Sequence, residues 1–240
     1  MKDKVVIVTG ASQGLGKELS LQLVALGAKV ALVSRNEKLL IELKEKINSN
    51  GGVAEYFICD VTDFNQVNST VEKILKSFGK IDILINNAGL WLPDQVAATD
   101  QSRIEKIFKV NSLGPIYFSQ AVMSLFDSQQ TGHLLFINSI GGLNYPIIKD
   151  WQIYSATKWA ITGYAKSLSY KYDNTPIKVT SIYPGPFSSN IDKNAGDDFG
   201  ADRSFETPVA DLAEQIVHVL NTPKKLMVDT LELKNTNWNS

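Results

Sequence analysis

Short apolar runs alternate with longer stretches whose apolar positions recur every three or four residues. Residues 5–8, 30–33, 53–59, 81–85, 134–137 and 179–182 form compact, largely β-branched runs and predict six strands; residues 227–231 predict a seventh. Between them run helical stripes. Leu15, Leu19, Leu23 and Leu26 mark the first, ending at Gly27. Leu39, Leu40, Leu43 and Ile47 mark the second, stopped by Gly51-Gly52, and Val67, Val71, Ile74, Leu75 and Phe78 the third. Long helices are predicted over residues 101–126 and 154–172, and Pro208 opens a last one that reaches Leu220. Continuous apolar strands alternating with helices predict an α/β fold: a doubly wound, seven-stranded parallel sheet with helices on both faces.

One stretch breaks the pattern. Residues 186–207 are polar and rich in Ser, Asn, Asp and Gly, with apolar anchors at Phe187, Ile191, Phe199 and Phe205. A segment this long without periodicity predicts a substrate lid. The rest reads as one domain over residues 1–240, without repeats or an interior linker.

Composition narrows the partners. A formal net charge of −1 with interspersed signs gives no footprint for nucleic acid or an anionic membrane. The single cysteine, Cys59, precludes an internal disulfide, and His133 and His218 lack ligand spacing, so no metal is expected. The first apolar run begins at Val5, leaving no room for a signal peptide, and no run approaches the ~18 apolar residues of a membrane span. A cytoplasmic protein is expected.

Two local patterns carry chemistry. Thr9-Gly10-Ala11-Ser12-Gln13-Gly14-Leu15-Gly16 lies between the first strand and the first helix. Glycines there permit a tight turn and close approach of pyrophosphate to free N–H groups at a helix start. Tyr154 and Lys158 stand four residues apart, on one face of a helix. An ammonium beside a phenol favours phenolate, so the pair is expected to pull Tyr154 below its ordinary value of about 10.

With its G-x-x-x-G-x-G spacing, the chain resembles the short-chain dehydrogenase/reductase family in its single-domain form, over nearly its whole length. The resemblance implies a Rossmann fold and an NAD(P) cofactor. It assigns cofactor contacts to Gly10, Ser12, Gln13, Gly14, Leu15 and Gly16. It adds Asp60 and Val61 after the third strand, and Asn87, Ala88 and Gly89 of the Asn86-Asn87-Ala88-Gly89 turn. Tyr154, Lys158, Pro184, Gly185, Phe187 and Ser189 complete the set. Ser189 stands where the family usually carries threonine. The second strand ends Val33-Ser34-Arg35-Asn36 without a carboxylate to bind the ribose 2′-OH. Ser34 and Arg35 offer donors to a 2′-phosphate instead, which predicts NADP(H) over NAD(H). Gln13 departs from the second basic residue that many NADP-using relatives carry in the glycine turn.

The same resemblance assigns catalysis to Asn111, Ser139, Tyr154 and Lys158. Tyr154 would be the general acid or base, Lys158 would lower its pKa and bind the ribose, and Ser139 would hydrogen-bond the substrate oxygen. Asn111 would hold Lys158 through a water. The loop before Tyr154 is long, with Ser139 and Tyr154 15 apart where 13 is common. With Trp91, Gly141, Tyr145 and Trp151 it predicts an apolar, aromatic-walled pocket. The expected activity is interconversion of a carbonyl and a secondary alcohol. A 3-oxoacyl thioester reductase and a non-catalytic NADP-sensing or scaffold protein stand as alternatives. Relatives also assemble as dimers or tetramers through their two long helices, here carrying Trp159, Tyr164 and Leu168.

Overall fold

A computed structural model describes residues 1–93, 100–143, 151–189, 202–223 and 225–237. Seven strands form one parallel sheet: β1 (Val5–Thr9), β2 (Lys29–Ser34), β3 (Val53–Ile58), β4 (Ile83–Asn86), β5 (Gly132–Ile137), β6 (Ile177–Pro184) and β7 (Thr230–Leu233). Their order is β3-β2-β1-β4-β5-β6-β7. The chain winds outward from β1 to β3, then crosses back to β4 and winds the other way. The direction therefore switches between β1 and β4, where a crevice opens at the carboxyl ends of the strands.

The pleat divides the core into two halves. Val6 and Val8 of β1 point into one and Ile7 into the other. The first half packs beneath α1 (Gly14–Ala25), α2 (Glu37–Ser49) and α7 (Val209–Leu220), through Leu19, Leu23, Leu43 and Ile216 among others. The second lies beneath α3 (Phe64–Phe78), α5 (Gly114–Gln129) and α6 (Gln152–Lys171), where Ile74, Phe118, Phe126 and Ile161 meet. β1 is buried along its whole length, as a strand covered on both faces requires.

Three expectations need adjusting. The long helix predicted over 101–126 is interrupted: α4 (Gln101–Phe108) passes through a π-helical turn, Lys109–Leu113, before α5. The seventh strand begins at Thr230 rather than 227. Leu26 faces solvent as the residue that closes α1, so only Leu15, Leu19 and Leu23 of its stripe are buried.

Candidate active site

β1 and β4 lie side by side, so the turns that follow them meet at the crevice. Thr9 ties them together: its Oγ1 accepts from the Asn87 and Ala88 N–H groups, both at 3.0 Å. Asn87 Nδ2 donates back to the Thr9 carbonyl at 2.8 Å. Gly10 and Gly14 adopt positive φ, +66° and +53°, which L side chains rarely take. A Cβ on Gly14 would meet nothing within 4 Å, so the turn presents bare backbone to open space. Gly16 has a different task. A Cβ there would sit 2.4 Å from the Gly10 carbonyl oxygen, so its bareness lets α1 pack against the turn. The N-terminus of α1 has no side-chain cap and no acid in its first turn. Its N–H groups are suited to an anion.

The turn forms one end of a cavity of about 570 Å³. Gly10, Ser12, Gln13, Gly14 and Leu15 line that end. Ser34 at the end of β2, Arg35 just after it and Asp60 and Val61 beyond the end of β3 form its rim, and Asn87, Ala88 and Gly89 after β4 also line it. Phe187 and Ser189 close one side, and Trp91, Tyr154 and Lys158 stand at the far end. Pro184 and Gly185, at the end of β6, do not line it, and neither does Gly16. Among the described residues, the charged ones that line it are Arg35, Lys106, Lys158 and Asp60, three cations against one carboxylate. The rim is already engaged in part. The Ser34 and Ser12 hydroxyls lie 3.0 Å apart, and Arg35 approaches Asp60 at 3.7 Å.

The sequence reading missed Lys106. It precedes Val110, which also lines the cavity, by one helical turn; stepping back along that face would have found it. Ile137 and Asn138 likewise line the cavity and were not singled out, whereas Asn111, Ser139, Gly141 and Trp151 do not line it themselves.

Ser139 caps a short 3₁₀ turn, Ile140–Gly142, through a hydrogen bond from the Gly141 N–H at 3.2 Å. Its hydroxyl also hydrogen-bonds the Tyr154 phenol. Lys158, one turn along α6, donates to the Ile137 carbonyl at 3.2 Å, with its Nζ 5.5 Å from the Tyr154 ring centre. Asn111 sits in the π-helical turn, a distortion frequent at functional sites. Its Oδ1 accepts from the Leu90 N–H at 2.7 Å. Its Nδ2 donates to the Leu90 carbonyl at 2.9 Å and to Thr157 Oγ1 at 3.2 Å. The Asn111 amide thus clamps the segment after Gly89 to the helix that carries Tyr154 and Lys158.

The electrostatics differ from the sequence expectation. Burial pushes the Tyr154 phenol up to about 12, opposed by the hydrogen bond with Ser139. Burial also pulls the Lys158 ammonium down to about 8. Desolvation disfavours each charged form and outweighs the attraction expected between phenolate and ammonium.

Trp91 and Trp151 pack edge-on with ring centres 4.9 Å apart, and Trp91 meets Tyr154 at 4.9 Å in the same manner. Gly141 lies against Trp151 and Ser139: a Cβ there would sit 3.6 Å from each. Tyr145 lies outside the described residues.

Comparison with known proteins agrees with this geometry. The model of the short chain dehydrogenase family matches residues 4–199. The chain belongs to the short-chain dehydrogenase family. An uncharacterized oxidoreductase of Staphylococcus saprophyticus is 35% identical over 236 residues, covering 98% of each chain. Among solved structures, an alcohol dehydrogenase from Thermococcus sibiricus complexed with 5-hydroxy-NADP superposes with a TM-score of 0.90. It is 22% identical, with coverage of 100% of this chain and 99% of that one. The closed form of a serine dehydrogenase complexed with NADP⁺ gives 0.88 at 25% identity, covering 98% and 96%. Among the described residues, no helix is long and apolar enough to cross a membrane, and no group of three acidic, His or Cys side chains could hold a metal.

Proposed function

We propose that this chain is an NADP(H)-dependent oxidoreductase that interconverts a carbonyl and a secondary alcohol, with Tyr154 as the proton-transfer group. One observation carries the reading: a partly buried phenol, hydrogen-bonded to Ser139, lines the same cavity as a bare glycine turn. The turn, its uncapped helix start and the cationic lining suit a dinucleotide phosphate. Two structures that share the fold hold NADP or an analogue of it, which supports that cofactor here.

When bound, NADPH supplies hydride to the carbonyl carbon. The protein's own groups handle the proton and the charge. A phenol at about 12 keeps its proton at neutral pH, the form that reduction requires. Tyr154 gives that proton to the carbonyl oxygen as the oxygen gains charge. The Ser139 hydroxyl, already within reach of the phenol, donates to the same oxygen. Lys158, with its ordinary value lowered only to about 8, is still mostly protonated at pH 7. Its charge stabilises the phenolate that Tyr154 leaves behind. Asn111 keeps the two walls of the site in register.

Other assignments extend the same reading. The Trp91 ring lines the cavity with Trp151 packed against it, which favours an apolar carbonyl substrate. Residues 186–207 act as a lid. Its described ends pair Phe187 with Thr207, while Ile191 and Phe199 lie outside the described residues. Assembly as a dimer or tetramer is supported by the exposed Trp159 on α6, whereas Leu168 is buried and belongs to the core; a cytoplasmic location is part of the same proposal.

The test is NADPH consumption across a panel of ketones, aldehydes and diketones, run beside Tyr154→Phe. The variant is expected to lose about 10²–10⁴-fold in kcat while binding NADPH normally. Near-wild-type turnover in Tyr154→Phe would refute the mechanism. Tight NADPH binding without turnover on any carbonyl would favour a sensor.

A further inference from the structure

Behind Ser139 and Lys158 lies a buried polar cluster that the reaction does not touch. Thr162 stands one helical turn after Lys158 and is buried, as are Asn138 and Tyr183. The Thr162 hydroxyl donates to the Gly142 carbonyl at 2.7 Å, with the Lys158 carbonyl 3.1 Å away. It accepts from Asn138 Nδ2 at 2.9 Å and from the Tyr183 hydroxyl at 3.3 Å. One hydroxyl hydrogen and two lone pairs are thereby all in use.

The connections are specific. Asn138 immediately precedes Ser139, and its own N–H donates to the Ile182 carbonyl at 2.8 Å across β5 and β6. Gly142 ends the turn that Ser139 caps. Lys158 contributes its main chain. A single hydroxyl therefore joins the two segments that hold Ser139 and Lys158, and Tyr183 anchors it to β6. The packing leaves no slack. A Cβ on Gly142 would lie 2.8 Å from Asn138 Oδ1 and 3.0 Å from the Lys158 carbonyl, so the turn, the asparagine and the helix are in direct contact.

We infer that Asn138, Thr162 and Tyr183 form a positioning brace that sets Lys158 and the Ser139 turn relative to each other. The inference rests on the roles given above to Ser139 and Lys158, since a brace matters only if those groups act together. Thr162 is a positioning residue: it touches no reacting atom and works through the main chain of Lys158 and Gly142.

The test compares Thr162→Val, Thr162→Ser and Tyr183→Phe, using two readouts that need no substrate. One is the pH titration of the Lys158 side chain in ¹³C-lysine-labelled protein, its resonance identified by its absence in Lys158→Met. The other is NADPH affinity by fluorescence titration. Thr162→Val keeps the shape and removes the hydroxyl. With the brace cut, water reaches Lys158, and its midpoint is expected to rise by about half a unit or more toward the ordinary lysine value. NADPH binding is expected to loosen about tenfold. Thr162→Ser, which keeps the hydroxyl, should hold both readouts near wild type. An unmoved Lys158 midpoint in Thr162→Val overturns the brace, and so does an equal shift in the Ser and Val variants. If Thr162→Val does not fold, Tyr183→Phe removes one donor at constant ring volume and is judged by the same midpoint. Lys158→Met separates this inference from the reading beneath it. If that variant binds NADPH as wild type does, Lys158 has no part in cofactor binding, and the brace then stands or falls on the titration alone.

Discussion

The two ends of the parallel sheet solve opposite problems with similar residues. At the amino end, the Asp82 carboxylate is buried yet accepts from the Val5 N–H at 2.8 Å, from Lys4 at 2.8 Å and from Lys80 at 2.9 Å. Burial alone would raise its pKa. The hydrogen bonds from Lys4, Val5 and Lys80 outweigh that and hold it below the ordinary aspartate value. At the carboxyl end, burial wins: Tyr154 is pushed up to about 12 and Lys158 down to about 8. A charge supplied with donors stabilises the fold. A buried group short of partners costs stability and remains available to react.

The largest expected effect follows from that contrast. Lys158→Met should lower kcat by about 10²–10⁴-fold, as loss of one member of a proton-transfer pair does. The same variant should be more stable at neutral pH. The folded-state value of Lys158, about 8, lies below the ordinary 10.5. Below pH 8 the protein therefore bears the full cost of burying the ammonium, and that cost fades only as pH rises from 8 toward 10.5. Removing the group at pH 7 is expected to gain about 1–3 kcal/mol, less whatever its hydrogen bond to the Ile137 carbonyl contributes. Chemical denaturation at pH 7 decides it. A destabilised Lys158→Met would mean that the two ends do not differ as argued.

The amino end supplies the next effect. His133 is buried against Thr180, its Nε2 2.8 Å from Oγ1. Burial, with Lys178 nearby, pushes it down to about 3. An unfolded histidine takes up a proton near 6.5, whereas this one stays neutral in the fold. Stability is therefore lost as pH falls from about 6.5 toward 3, at up to about 1.4 kcal/mol per pH unit. Asp82, whose value is depressed, loses its contribution only at lower pH, as pH falls from the ordinary aspartate range through its folded value. His133→Gln should flatten the slope between pH 6 and 4 in denaturation curves. An unchanged slope would place the acid sensitivity elsewhere.

Which parts of this were legible beforehand follows from which forces are local. The apolar runs of β1 through β6 and the stripes of α1, α2 and α3 are local, and the sheet confirms them. The π-helical turn at Asn111 has no periodic signature, because the residues around it still read as one helix. It becomes visible only with the Leu90 main chain that Asn111 clamps. The glycine turn could be recognised by spacing, but Gly16's role against the Gly10 carbonyl needed the packed turn. The sign of the Tyr154 shift was the clearest failure. Residue spacing reveals the nearby ammonium, but burial of the phenol depends on Trp91 and the rest of the fold. The Asn138–Thr162–Tyr183 cluster joins three distant segments and has no local signature at all.

The smallest expected effect tests the contrast at the surface. Arg35 and Asp60 also form an ion pair, but at 3.7 Å and with the arginine side chain 57% exposed. Such a pair contributes about 0–1 kcal/mol at most, so Arg35→Ala should barely change stability. Its effect should fall on the cofactor. Ser12, Ser34 and Arg35 converge on the cavity rim, where a 2′-phosphate would compete with Asp60 for the guanidinium. Arg35→Ala is expected to weaken NADPH binding by about 10-fold, the value of one charge-assisted contact, and to leave NADH binding alone. Isothermal titration of both dinucleotides against both proteins decides the point. Tighter binding of NADH by the unmodified protein would overturn the NADP(H) preference itself. An Arg35→Ala protein that binds NADPH undiminished would shift phosphate recognition to Lys106, the other cation that lines the cavity among the described residues outside the Tyr154–Lys158 pair. The carboxyl end would then hold its charged ligand as the amino end holds Asp82, through buried or helix-anchored donors and not through an exposed pair.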